Sequence, residues 1–257
     1  MTSAPKIFGF VPARMAASRF PGKPLADIAG RPMLEHCFLR ARLYERWDGL
    51  FITTCDEEIR AFAEDRGYPV IMTADTHTRA LDRVAEAAEK YGDVADNDIV
   101  VCVQGDEPLL GPDMIEAVIK PFDDDAEVEG TLLSVPIPDE ETFLNPDMVK
   151  LVHDLKGDVM FTSRAPIPYA REFSAGIGAK RVGGIFGFRW HMLKWFTGLP
   201  ESPLEIAEAC ESNRIYDNGR RQRIAPAPAR PYLSVDSPED IDRVEAVIRE
   251  DDLWGRY

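Results

Sequence analysis

Apolar residues in the first half of the chain follow two alternating rhythms. Residues 7–11 form a continuous apolar run, the pattern of a strand covered on both faces. Leu34, Cys37, Phe38 and Ala41 then share one stripe at helical spacing, which predicts a helix over 31–45. A strand over 50–53 follows, and after it a helix that Asp56 caps and Gly67 ends, with Ile59, Phe62 and Ala63 facing inward. Residues 70–72 read as a short third strand. Val84, Ala87, Ala88 and Tyr91 recur at helical spacing and predict another helix. The most apolar strand, 99–103, runs into Gln104-Gly105-Asp106-Glu107-Pro108. Alternation of this kind predicts an α/β fold, a doubly wound, mostly parallel, Rossmann-like sheet with right-handed crossovers.

Beyond residue 122 the rhythm loosens. Residues 123–129 read as a solvated acidic turn. Strands of a mixed sheet are predicted over 131–136, 149–154, 158–162 and 181–189, the last holding Gly183, Gly184 and Gly187, a signal for a bulge or a close approach. Ser202-Pro203-Leu204-Glu205 is a capping box with proline at the first helical position, and Ser237-Pro238-Glu239-Asp240 repeats the device. The pattern divides the chain into 1–122 and a mixed-sheet half, 123–257, on one continuous sheet.

The segment after the first strand is where open α/β sheets bind ligands. There the chain reads Pro12-Ala13-Arg14, then Arg19-Phe20-Pro21-Gly22-Lys23-Pro24, with three cations in ten residues. Neither a Walker A loop nor a Gly-x-Gly-x-x-Gly loop is present, so side-chain cations with help from backbone N–H groups are the predicted phosphate holders. Asp106 follows a buried strand, a position suited to Mg²⁺, which prefers hard oxygen ligands. Asp236, after Leu233 and Val235, is the second candidate carboxylate. Cations at Arg14, Arg19 and Lys23 with carboxylates at Asp106 and Asp236 point to phosphoryl chemistry with a departing pyrophosphate.

Charge sharpens this reading. The chain of 257 residues has 30 Lys+Arg against 45 Asp+Glu, a net charge of −15, which disfavours nucleic acid and anionic membranes as partners. A polyanion binds such a protein only where cations concentrate or a metal bridges. No signal run opens the chain, and nothing nears the roughly 18 apolar residues of a membrane span, so a cytoplasmic protein is predicted. Cys37, Cys55, Cys102 and Cys210 are scattered and read as buried, reduced thiols.

The chain resembles the CMP-Kdo synthetase (3-deoxy-manno-octulosonate cytidylyltransferase) family. The resemblance rests on Pro12-Ala13-Arg14, Arg19-Phe20-Pro21-Gly22-Lys23-Pro24-Leu25, Gln104-Gly105-Asp106-Glu107-Pro108 and Val235-Asp236-Ser237-Pro238-Glu239-Asp240. Asn145-Pro146, Val149-Lys150, Ser163-Arg164-Ala165-Pro166 and Ser202-Pro203-Leu204-Glu205 extend it over nearly the whole chain. It implies a nucleotidyltransferase-type fold and transfer of CMP from CTP to an acidic acceptor, Kdo or a related keto-acid sugar. Arg14 and Lys23 then hold the phosphates with Arg19 beside them, and Asp106 and Asp236 bind Mg²⁺. Pro12, Ala13 and Gln104 read cytosine or ribose, Arg83 closes the nucleotide half, and Arg164 and Glu211 face the acceptor. The resemblance also implies a homodimer built through the second half.

The match breaks at three places. Arg79 and Ala80 stand where the family has Ser-Gly, Val182 and Phe186 where it has His and Tyr, and Glu211-Ser212 where it has Glu-Gln. Arg79 adds a cation while sugar-reading groups disappear. The alternative acceptor is therefore a small phosphonate such as phosphonoformate, already ionised and needing no general base. His77 is the nearby candidate base, with a surface or capping role as its plain alternative. The rivals are a transferase using another nucleotide and a non-catalytic nucleotide sensor.

Overall fold

β1 (Ile7–Pro12) is buried along five of its six positions, as an apolar run flanked by strands on both sides must be. The computed structural model describes residues 4–16, 19–228 and 230–257; Ser18 of the basic segment lies outside them. These residues form two units, one from residues up to 116 together with those from 230 onward, the other spanning 117–228.

In the first unit, Gly22 takes a left-handed φ of 76° and turns the chain into a short 3-10 turn at Lys23–Leu25. A hairpin of two-residue strands follows, β2 (Asp27–Ile28) and β3 (Arg31–Pro32), turning through Ala29 and Gly30, both at positive φ. Next come α1 (Met33–Arg42), β4 (Gly49–Thr54), α2 (Glu57–Asp65), β5 (Val70–Met72), α3 (Ala80–Tyr91) and β6 (Ile99–Val103). β6 pairs with β1, β1 with β4 and β4 with β5, all in parallel, so the predicted parallel sheet forms. Each inter-strand step passes through a helix, as parallel neighbours require.

The chain enters the second unit within α4 (Pro112–Asp124), which absorbs Asp123 and Asp124 of the predicted acidic turn. There follow β7 (Gly130–Pro136), α5 (Glu140–Leu144), β8 (Lys150–His153), β9 (Val159–Ser163), β10 (Lys180–Arg189), α6 (Trp190–Thr197), α7 (Pro203–Glu208), α8 (Asn213–Asp217) and β11 (Arg223–Pro226). β7 pairs antiparallel with β10 and parallel with β11, while β10–β8 and β8–β9 are antiparallel. The glycines of β10 act as predicted. Register shifts between Val182 and Phe186, and a Cβ on Gly183 would come within 2.8 Å of Leu133.

The division differs from the boundary at 122. Residues from 230 onward return to the first unit and carry α9 (Glu239–Ile248). Their anchor is a buried charge pair, with Arg40 Nη2 3.0 Å from Asp251 Oδ2, at 0% and 3% side-chain exposure. Arg40 Nε also donates to the Leu110 carbonyl at 2.6 Å. The Tyr257 hydroxyl lies 3.0 Å from His36 Nδ1, and Arg31 donates to the Tyr257 carbonyl at 3.0 Å.

Three local expectations need correction. The Asp56 side chain accepts from the Met15 N–H at 2.8 Å, across to the basic segment, instead of capping α2. The Ser202–Glu205 capping box is complete, but its repeat at Ser237 is inverted. There Asp240 Oδ2 accepts the Asp236 and Ser237 N–H groups, both at 2.9 Å, and the Ser237 hydroxyl at 3.1 Å. A carboxylate takes two backbone donors and a hydroxyl at once, which a serine oxygen cannot match. Cys37, Cys102 and Cys210 are buried free thiols as expected, while Cys55 is half-exposed.

Candidate active site

The carboxyl ends of β1 and β6 meet closely. A Cβ on Gly105 would lie 2.7 Å from the Pro12 carbonyl oxygen, so only glycine fits there. Beyond β1 the chain is tied down at several points: Ala13 N–H donates to Thr53 O at 2.9 Å, Met15 N–H to Asp56, and Gly22 N–H to Met15 O at 3.0 Å. The loop thus folds back and delivers Lys23 to the strand ends.

A cavity of about 280 Å³ opens there. Its walls include Pro12, Ala13, Arg14, Arg19, Lys23, Arg79, Arg83, Gln104, Asp106 and Asp236, with His77 among their neighbours. Of the predicted site residues, only Arg164 and Glu211 are absent from this group; both belong to the second unit.

At the cavity floor opposite charges are already paired. Lys23 Nζ lies 2.8 Å from Asp106 Oδ2 and 2.8 Å from the Val235 carbonyl. Arg19 Nη2 lies 2.7 Å from Asp236 Oδ1. The Val235 N–H donates to Asp106 O at 3.0 Å and the Ser234 hydroxyl to Glu107 Oε1 at 2.8 Å, which stitches the returning segment to the end of β6. Burial pushes the Asp236 carboxyl above its ordinary range; Arg19 opposes this, and the neighbouring charge of Asp106 adds to it. Two carboxylates close enough to feel each other are a fitting pair for Mg²⁺, which takes one or two protein carboxylates and completes its shell with water and substrate phosphates. Among the described residues no group of three or more His, Cys, Asp and Glu is placed to hold a metal ion.

The opposite wall is the loop between β5 and α3. Arg83, 3% exposed, donates to the Thr73 hydroxyl, to Ala74 O at 3.3 Å and to His77 O at 3.5 Å. It lines this wall and ties its backbone together. His77 bonds Glu86 through Nε2, which favours its structural reading over that of a free base.

In the second unit Arg164 points its guanidinium at backbone: Nε donates to Glu208 O at 3.0 Å, Nη1 to Pro146 O at 2.9 Å and Nη2 to Ala209 O at 3.4 Å. Lys150, fully buried, donates to the carbonyls of Asn145 and Arg164 at 2.8 and 2.6 Å. Residues at and beside the breaks in the match serve the framework. Phe186 is a core side chain at 4% exposure, Asn213 accepts from Thr162, and Arg214 pairs doubly with buried Glu205 at 2.7 Å.

A Rossmann-like unit whose strand ends gather cations against paired carboxylates is built as a nucleotidyltransferase. The chain belongs to the cytidylyltransferase family, whose model it matches over residues 8–224. It is 44% identical over 254 residues to the 3-deoxy-manno-octulosonate cytidylyltransferase of Nitratidesulfovibrio vulgaris strain DP4, covering 97% of this chain and 99% of that protein. The protein of the same name from Syntrophotalea carbinolica is 38% identical over 251 residues, covering 95% and 98%. Among solved structures, a CMP:2-keto-3-deoxy-manno-octonic acid synthetase complexed with CTP superposes with a TM-score of 0.86 at 32% identity, covering 95% of this chain and 99% of that one. A 4-diphosphocytidyl-2C-methyl-D-erythritol synthase shares the fold at a TM-score of 0.65 and 16% identity. Among the described residues no helix is long and apolar enough to cross a membrane.

Proposed function

We propose that the protein transfers CMP from CTP to 3-deoxy-manno-octulosonate and releases pyrophosphate. A hydroxyl oxygen of the sugar acid attacks the α-phosphorus of CTP, giving up its proton to solvent, while the bond to the bridging oxygen of the β-phosphate breaks. Lys23, Arg19 and Arg14 neutralise the departing pyrophosphate, a role suited to cations preset at a strand end. Asp106 and Asp236 would hold Mg²⁺, which neutralises charge that builds on the phosphates. Asp240 fixes the backbone at Asp236, so that carboxylate is aimed before substrate arrives.

The observation that carries this reading is the bridging of Lys23 to both Asp106 and the Val235 carbonyl, inside a chain 44% identical to a protein of that name. The phosphonate alternative finds no support. Relatives matching 95–97% of this chain are named for the sugar acid, and Phe186, Asn213 and Arg214 serve the framework.

A homodimer is part of the proposal. The second unit exposes Leu144, Leu155, Met160, Tyr169, Leu204 and Ile206, apolar surface that a second copy could cover. Pyrophosphate release from CTP with the sugar acid and Mg²⁺ tests the reaction. The rate should fall to background with phosphonoformate as acceptor, with UTP in place of CTP, and in Asp106→Ala. Faster turnover of phosphonoformate than of the sugar acid would overturn the proposed acceptor.

A further inference from the structure

The cavity wall at residues 77–80 has no regular secondary structure before Ala80, and Asp75, Thr76 and Thr78 are exposed. Such a loop pays ordering entropy when ligand binds unless something holds it beforehand. One face of α3 does so. Arg83 supplies donors to the loop carbonyls, and one helical turn on, Glu86 supplies the acceptor.

Glu86 Oε2 takes the Ala74 N–H at 2.9 Å and also bonds His77 Nε2. Its other oxygen pairs with Lys90 Nζ at 2.7 Å. Burial disfavours the Glu86 carboxylate, but the bonds from Lys90, Ala74 and His77 outweigh it and hold the group down to about 2. Ala74 is thereby gripped at both backbone atoms, its N–H by Glu86 and its carbonyl by Arg83. Glu86 is not among the residues lining the cavity.

We propose that Glu86 is a positioning residue for the nucleotide: it presets the 73–79 wall by holding Ala74 and His77, and so sets the affinity for CTP. This role rests on the reading of the cavity as the CTP site. The groups at the reacting end, Lys23, Asp106 and Asp236, lie on other segments, so Glu86 acts on the binding of CTP and leaves the chemical step alone.

Two substitutions separate reach from charge. Glu86→Asp keeps the charge but withdraws it by one methylene from Ala74 and His77. Glu86→Gln loses the charge but keeps an oxygen where both donors converge. Titration calorimetry of the full chain with CTP should show Glu86→Asp weaker by about fivefold, the scale of one hydrogen bond, and Glu86→Gln within about twofold of the parent. In turnover, Glu86→Asp should raise KM for CTP by a similar factor with kcat unchanged. Parent protein that binds no CTP overturns the CTP reading and this role with it. Parent binding, with Glu86→Asp within about twofold of it or Glu86→Gln as weak as Glu86→Asp, overturns the role alone.

Discussion

Lys23 and Asp106 form an ion pair at 2.8 Å, in which the cation proposed to hold phosphate and the carboxylate proposed to hold the metal neutralise each other. At 13% and 30% side-chain exposure the pair is partly desolvated, so neither partner is idle in the free protein. In the proposed reaction a triphosphate arriving with its metal would give each charge a new partner at the same moment.

Lys23→Met should therefore weaken CTP binding by at least about tenfold, the usual scale of a lost charge-assisted contact. Calorimetric titration checks this. Affinity equal to the parent's would remove Lys23 from the phosphate-holding set.

Gly105→Ala places a methyl 2.7 Å from the Pro12 carbonyl, a backbone atom that cannot swing aside. The ends of β1 and β6 must separate, at a cost of about 1–3 kcal/mol, and CTP binding should fall with them. A urea melt and a CTP titration on the same preparation measure both effects, and an alanine variant as stable as the parent would show that the strand ends have slack.

Asp251→Ala leaves the Arg40 guanidinium buried without its counter-charge. Burial works against the Asp251 carboxylate, but the Leu253 N–H, Arg40 and Arg230 hold it below its ordinary range. Loss of one partner of such a pair costs about 3–5 kcal/mol. Chemical denaturation should show that loss, and a change under about 1 kcal/mol would mean that the carbonyls of Leu109 and Leu110 suffice for Arg40.

Glu86 titrates lower in the folded protein than its ordinary 4.5, at about 2. A depressed carboxyl stabilises the fold above the unfolded value, and that stabilisation is lost as pH falls towards the folded one. The stability gap between the parent and Glu86→Gln should be constant above about pH 5 and should close on acidification towards pH 2. A gap that stays constant down to pH 2 would mean the bonds at Glu86 are not carried by its charge.

Strands buried on both faces were legible because an uninterrupted apolar run has few other uses in a chain this polar. Residues 99–103, buried throughout, appear with the predicted bounds, and so does the half-buried strand 70–72. Asp106 and Lys23 were legible from their places after apolar strands. The partners of short polar side chains were not. Asp56 looked suited to a local cap and Arg164 to a ligand, and each is taken by a group that only tertiary folding brings near, while Asp240 turns back locally on the N–H groups of Asp236 and Ser237. The β2–β3 hairpin escaped notice although Ala29-Gly30 carried a turn signal. Glu86 was missed because an acidic residue beside a lysine four positions on reads as an ordinary solvated helix pair. The return of residues 230–257 left no mark in the hydrophobic rhythm, since it is decided by Arg40, an isolated cation in an otherwise apolar stripe.

That return makes the order of synthesis matter. A ribosome completes the basic loop early, yet Val235 and Asp236 emerge only after the whole second unit has been made. A growing or truncated chain that stops short of them owns the grip for a nucleotide but lacks half of its acidic pair. With Asp236 in its proposed role, activity would be withheld from unfinished copies, and Arg40 waits through most of translation for Asp251 to neutralise it.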